Sequence, residues 1–225
     1  MKNSIFVFTA AIVFSTCNLF AQLPHKFDFG VLAGPSLASM RGNTIIDNYS
    51  EPKIGFAAGL SFQYNTRKIL SFHTGILFDQ KGTVFKAQLI DSTGNLQGKV
   101  TTNSNMNYLT VPLLVRASFG KHITYFVNAG PYFSYMLQHV DITRGKDIET
   151  FRNSPAYTEK RFDAGISAGI GAKFPLKENI SLTCEARNSL GLTDISNTPV
   201  INNGKILTNS ASLLIGITYS LGARE

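Results

Sequence analysis

The sequence predicts an all-β protein: an eight-stranded, antiparallel, up-and-down transmembrane β-barrel that follows a cleaved signal peptide. Three observations carry this. Apolar and polar residues alternate with period two along most of the chain. The alternating segments are joined by connections that are short and long in turn, the pattern of bacterial outer-membrane barrels. No apolar run reaches the roughly 20 residues that a membrane helix needs, so a chain of this kind enters a bilayer only as a closed ring of strands.

Taken in order, the first element is an export signal. Lys2 supplies a positive start, Ile5 to Phe14 an apolar core, and Ala21 a small residue before an expected cut near Gln22. Residues 1–21 are therefore read as signal peptide and 22–225 as one barrel domain. Cys17 raises the thought of a lipoprotein, but Phe14, Ser15 and Thr16 match a lipidation box poorly.

Eight strands follow, at about 26–40, 54–65, 69–84, 105–119, 122–137, 160–174, 179–191 and 209–222. The clearest is RFDAGISAGIGAKF from Arg161 to Phe174. One face carries Phe162, Ala164, Ile166, Ala168, Ile170 and Ala172. The other carries Arg161, Asp163, Gly165, Ser167, Gly169, Gly171 and Lys173. A helix, repeating every 3.6 residues, cannot separate them so. Ile180, Leu182, Cys184 and Ala186 oppose Ser181, Thr183, Glu185 and Arg187, and Leu213, Ile215, Ile217 and Tyr219 oppose Ser212, Gly216 and Thr218. Aromatics fall at strand ends, with Phe27, Tyr64, Phe119 and Phe174 at one rim and Phe78, Tyr135 and Phe162 at the other. That spacing suits two girdles at the membrane surfaces. Pro112 and Pro131 lie inside strands, where local bulges are expected. The connections 41–53, 85–104, 138–159 and 192–208 are polar and rich in Asn, Gly, Ser and Thr, and read as long external loops.

The polar face tells which way the barrel faces. It is crowded with Gly, Ala and Ser and carries few charges of both signs, whereas a wetted outer face would carry more long charged residues. Charged residues make up only 16% of the chain, against about 25% in an ordinary soluble domain. Small residues with opposed charges suit the inside of an eight-stranded barrel, which side chains just fill. Asp28, His73, Asp79, Arg116, Asp163, Glu185 and Arg187 form the expected interior polar network, with Glu185, Arg187, Arg116 and Asp163 as its ion-paired centre. A secreted soluble barrel with its apolar face inside, lined by Ile180, Leu182 and Ile215, is the competing reading. The net charge of +7 comes from scattered Lys and Arg, without the clustered stripe that a nucleic-acid binder shows. Contact with anionic lipopolysaccharide, and with a protein partner through the long external loops, are the expected interactions.

No phosphate loop, dinucleotide fingerprint, nucleophile elbow or paired-histidine metal motif is present, so no catalytic, cofactor or metal residue is assigned and the expectation is a non-enzyme. A lipid-modifying outer-membrane enzyme is the alternative. It would need a His with a Ser or acidic partner at the outer rim, and His139 with Asp141 and Ser134 is the local candidate. Cys184 falls on the outward face as a small apolar filler.

Several segments carry a resemblance: FDFGVLAGPSL, GFAAGLSFQY, ILFDQKG, NYLTVPLLVR with Pro112, YFVNAGPYFSYML with Ala129 to Tyr132, and ARNSLGLTDI from Ala186 to Ile195. Together they resemble the PorT-like outer-membrane β-barrel family of Bacteroidetes, across essentially the whole chain after the leader. The resemblance implies an outer-membrane location, an OmpA/OmpX-like eight-stranded barrel and no catalytic motif. It also implies a possible link to secretion, since one founding member of that family takes part in type IX protein secretion.

Overall fold

The computed structural model describes residues 25–66, 69–90, 96–145, 148–154, 159–197 and 204–222. The signal-peptide expectation for residues 1–21, and its cut near Gln22, lie outside them. The chain runs through β1 (Phe27–Arg41), a short helix α1 (Thr44–Tyr49), β2 (Ser50–Asn65), β3 (Leu70–Ile90), β4 (Leu96–Phe119), β5 (Thr124–Gly145), β6 (Ile148–Asn153), β7 (Phe162–Lys177), β8 (Ile180–Gly191) and β9 (Leu207–Leu221). Every strand pairing is antiparallel, and β4 pairs with β5 to close the sheet.

The ring has eight places although the sheet has nine strands. One edge of β5 holds β7 from Thr124 to Tyr135 and, farther along, β6 from Asp141 to Gly145. The short β6 thus continues the place of β7 above the barrel. The ring is staggered. Following paired residues from Phe27 leads through Tyr64, Phe72, Val115, Ala129, Ala168, Asn188 and Ala211 and returns to β1 at Leu37, ten residues along from the start. Closure with such a shear tilts the strands by about 40° to the barrel axis and leaves no free edge in the wall.

Period-two alternation sets which way each side chain points. Leu60, Ile170 and Ile217 stand outward and are 63%, 63% and 58% exposed, while Asp163, Glu185 and Lys81 point inward and are at most 1% exposed. The wall is therefore apolar outside and polar inside. This overturns the soluble-barrel reading: Ile215 is exposed on the outer face, and Ile180 and Leu182 share that face because Ser181 and Thr183 between them are buried. Aromatics gather at both ends of the apolar band. Phe27 meets Tyr64 and Phe119 meets Tyr125 at one rim; Phe56 meets Phe78 and Phe133 meets Phe162 at the other. The turns at the first rim are tight. Gly120, at φ +117°, adopts a conformation that L side chains resist, so β4 can reverse into β5.

Three expectations need correction. The stretches 85–104 and 138–159 are largely strand, because β3, β4 and β5 run on past the upper girdle and β6 is added there. Beyond the lipid both faces of a strand are wet, so those residues lose the alternation that marks a strand. The stretch 41–53 holds α1, whose first turn is capped by Asn43 Oδ1 accepting from the Ile46 amide at 2.9 Å. Pro112 and Pro131 also produce no bulges. At Pro112 two rungs to β3 drop out between Thr74–Leu113 and Leu77–Thr110, and at Pro131 two rungs to β4 drop out between Pro112–Tyr132 and Val115–Ala129. The register is the same on both sides of each gap. A missing N–H costs rungs toward one neighbour only, and the ladder on the other side holds the strand in line.

The outward wall gives a direct test. Leu60 lies midway between the girdles, so Leu60→Lys should destabilise the barrel by about 2–4 kcal/mol. Tyr49→Lys, on α1 outside the wall, should cost almost nothing. Denaturant midpoints in phospholipid vesicles compare the two, and equal midpoints would contradict a lipid-facing Leu60.

Candidate functional site

The inward side chains form layers. Nearest the tight turns, Lys173 Nζ donates to Asp28 Oδ2 at 2.8 Å and to Ser220 Oγ at 3.2 Å. Next comes a cluster centred on Glu185. Its Oε2 accepts from Arg116 Nη2 at 2.9 Å, and its Oε1 accepts from Arg187 Nε at 2.6 Å and Asn128 Nδ2 at 3.1 Å. Arg116 also donates to Gln63 Oε1 at 3.0 Å and stacks on the Phe126 ring, 3.8 Å from its centroid. That ring enters the lumen because residue 171 is glycine: a Cβ there would fall 2.4 Å from the ring. Arg187 Nη2 lies 3.4 Å from His73 Nε2. Asp28, Gln63, His73, Arg116, Lys173 and Glu185 line a residual space of about 10 Å³, room for about one water molecule.

Above this cluster the lumen turns apolar. Ala57, Leu77 and Leu214 pack together, each no more than 5% exposed. A second charged layer follows. Lys81 Nζ donates to Asp163 Oδ2 at 2.8 Å and sits between the rings of Tyr108 and Tyr132, at 4.8 and 4.7 Å. Thr208 Oγ1 and Tyr132 Oη donate to the same carboxylate oxygen at 2.7 and 3.2 Å. Asp79 is buried on the same face of β3 as Lys81, two residues away, and its Oδ1 has no partner. Four carboxylates, Asp28, Asp79, Asp163 and Glu185, thus face four cations, Lys81, Arg116, Lys173 and Arg187, and the lumen between the girdles is neutral.

The external mouth is plugged. Met40, Met106, Tyr108 and Met136 from the wall enclose Ile46 from α1 and Ile195 from the β8–β9 connection. Just outside, on the part of β5 beyond the girdle, His139 Nδ1 lies 2.8 Å from Glu159 Oε2, and its Nε2 lies 2.9 Å from Asp141 Oδ1 and 2.8 Å from Ser104 Oγ. Burial alone would lower the pKa of this imidazole, but the hydrogen bonds to Asp141 and Glu159 outweigh it and raise the value to about 9. The ring is an imidazolium at neutral pH, with both N–H groups directed at carboxylates.

The sequence pattern described as "Outer membrane protein beta-barrel domain" matches residues 20–197. The chain belongs to that family. No curated protein matches it. Among solved structures, it is similar to Neisserial surface protein A at 15% identity, covering 86% of this chain and 97% of that one with a TM-score of 0.46. OprG from Pseudomonas aeruginosa matches at 13% identity, with 90% and 99% covered and a TM-score of 0.44. Ail of Yersinia pestis matches at 11% identity, with 86% and 99% covered and a TM-score of 0.42.

As a member of the outer membrane protein beta-barrel domain family, the protein is located in the outer membrane. Of the interior residues read from sequence, the structure brings His73, Arg116, Glu185 and Arg187 together and gives Asp28 its own partner, Lys173. Asp163 is not part of the Glu185 centre; it belongs to the Lys81 layer, on the other side of the apolar leucines. Asp79 lies with that upper layer. Arg161, placed on the inner face by its spacing, is exposed and donates to Tyr135 Oη at 3.4 Å. Ser134 is not a partner of His139 either. It is bonded to Thr110 at 2.7 Å, five residues from His139 along β5; an irregularity between Met136 and Gln138 puts the two residues on one face without bringing them into contact. Ser104 takes its place, a residue that the sequence had left in a loop.

Removing Glu185 leaves two buried guanidinium groups facing each other. Glu185→Ala should therefore cost about 3–5 kcal/mol, read as a lower denaturant midpoint. The triple replacement of Arg116, Glu185 and Arg187 by Gln, Leu and Leu should recover much of that loss. A single variant as stable as the parent would refute the pairing.

Proposed function

We propose that this outer-membrane barrel is a sealed, non-enzymatic scaffold that holds external strands at the cell surface. One observation carries the reading: along the axis, layers of paired charges alternate with packed apolar side chains. The charge layer around Glu185 is separated from that around Lys81 by Ala57, Leu77 and Leu214, and the methionine plug lies beyond. An ion crossing the barrel would have to leave water at each apolar layer, where solvation is lost without a partner.

The reading places the work of the protein on its external surface. Basic residues there, among them Lys99 and Arg152, suit contact with anionic lipopolysaccharide, and the prolonged strands offer a firm surface for a protein partner. The PorT-like resemblance supports a place in secretion or assembly. An export signal over residues 1–21 is part of the same proposal.

The lipid-modifying alternative rested on His139 as a base. A base needs a free ring nitrogen to take the serine proton. Here both nitrogens face carboxylates, Asp141 shares Nε2 with Ser104, and the ring is already protonated. That arrangement fits a tether and not a nucleophile's partner.

Refolded protein should run as a faster band before boiling than after. In planar bilayers it should give no discrete conductance steps. Incubated with lipopolysaccharide, it should release no fatty acid. Stable conductance steps would overturn the sealed lumen, and fatty-acid release lost on Ser104→Ala would overturn the non-enzymatic reading.

A further inference from the structure

The apolar core of the external mouth is filled partly by side chains that do not belong to the wall. Ile195 is completely buried and Ile46 is 6% exposed, both against Met40, Met106, Met136 and Tyr108. The stretch 191–197 carries Ile195 inward. Its base is fixed to β7, where the Leu192 and Thr193 amides donate to Ala164 O at 2.9 and 3.1 Å; farther on, Ile195 N donates to Ile206 O at 2.9 Å, and Lys160 N donates to Ile195 O at 2.7 Å. Asp194 Oδ1 accepts from the amides of Ser196 and Ile206 at 3.0 and 2.9 Å, and Thr193 Oγ1 donates to Asp163 Oδ1 at 3.2 Å. Glu159 forms an isolated antiparallel bridge with Ser196. The side chain of that same Glu159 reaches the barrel wall at His139.

We propose that residues 194–197 form a strap that shuts the external mouth, and that His139, bonded to Glu159 and Asp141, is its latch. The wall residues His139, Asp141 and Ser104 stand on β5 and β4, which the ring holds rigid. Residues 159–160 and 195–196 hold each other through the bridge to which the Lys160 N–Ile195 O bond belongs. The Glu159–His139 pair is thus a side-chain tie between that small unit and the wall. The charged groups facing the ring are Asp141 on its own strand and Glu159 across from it; β4 presents the neutral Ser104. Methionine walls suit a displaceable plug, because their flexible thioethers repack when a neighbour leaves. When the strap lifts about its anchor at Thr193, Ile195 leaves the methionine core of the mouth.

The pH dependence follows from the two partners. His139 has a raised pKa, so its hold is complete below the ordinary imidazole value and is lost as pH rises through about 9. Asp141 has a lowered pKa, so its share is complete above the ordinary carboxylate value and is lost as pH falls through its depressed one. The latch is closed throughout the neutral range and fails first on the alkaline side.

Amide hydrogen exchange of the intact protein in lipid nanodiscs tests this, with exchange expressed as protection relative to the free peptide at each pH. At pH 7 the Lys160 and Ile195 amides should be at least tenfold better protected than in His139→Gln or Glu159→Gln. At pH 10 the parent should fall to the level of the variants, while β7–β8 ladder amides and the boiling-dependent gel shift stay unchanged. Equal protection in parent and variants would overturn the latch. Loss that runs equally through β8 would overturn it too, by showing general loosening. If His139→Gln fails to fold, Glu159→Gln, which lies outside every strand, decides the matter alone.

Discussion

A closed ring of strands in lipid has to answer two solvents at once. Every backbone group in the wall must find its partner inside the wall, since hydrocarbon offers none. The ring satisfies this by pairing each strand on both sides, with a stagger that returns Phe27 to the level of Leu37 after one circuit. The same closure creates a narrow interior reached by inward side chains from all eight places. The apolar exterior and the filled polar interior are two results of one alternation.

That interior is too narrow for bulk water, so its charges must balance within it. They do: four carboxylates face four cations. The balance is not local. Glu185 serves two arginines, while Lys81 stands near two aspartates. The lower layer therefore carries one cation too many and the upper one anion too many, across a layer of leucines. Buried ion pairs of this kind add little net stability against an apolar filling, but losing one member is costly. They fix which strands lie opposite each other, because Lys81, Asp163 and Thr208 come from three different strands and meet at one oxygen.

The wall was legible in the sequence because lipid outside and side chains inside enforce strict period two. Segments such as Phe162 to Phe174 follow from that rule alone, and so does the inward set from Asp28 to Arg187. Which inward charges meet was not legible. Neighbours across the lumen are set by the stagger of the whole ring, and Asp163 and Glu185 share one polar face in sequence yet belong to different layers. Lys81 and Lys173 were visible on that face, but their partners were not. Ile46 and Ile195 gave no signal, since an isolated apolar residue in a polar connection looks like any other loop residue. Ser104 was hidden because the alternation ends at the girdle. One irregularity in β5 beside Met136 turned His139 onto the inward face that Ser134 shares, which strict alternation would have denied it.

Past the girdle the constraint is lifted, and the chemistry changes with it. The upper parts of β3, β4 and β5, with β6, form a sheet wet on both faces, held by backbone ladders, by contacts such as Thr102 Oγ1 to Thr143 Oγ1 at 3.0 Å, and by exposed pairs such as Lys86 with Glu51. Exposed pairs of this sort contribute at most about 1 kcal/mol, so this sheet borrows its rigidity from the barrel below. The wall is committed to lipid and the lumen to its own neutrality. The surface left free for recognition is the external sheet together with the strap across the mouth, and both are anchored on strands that the membrane holds in place.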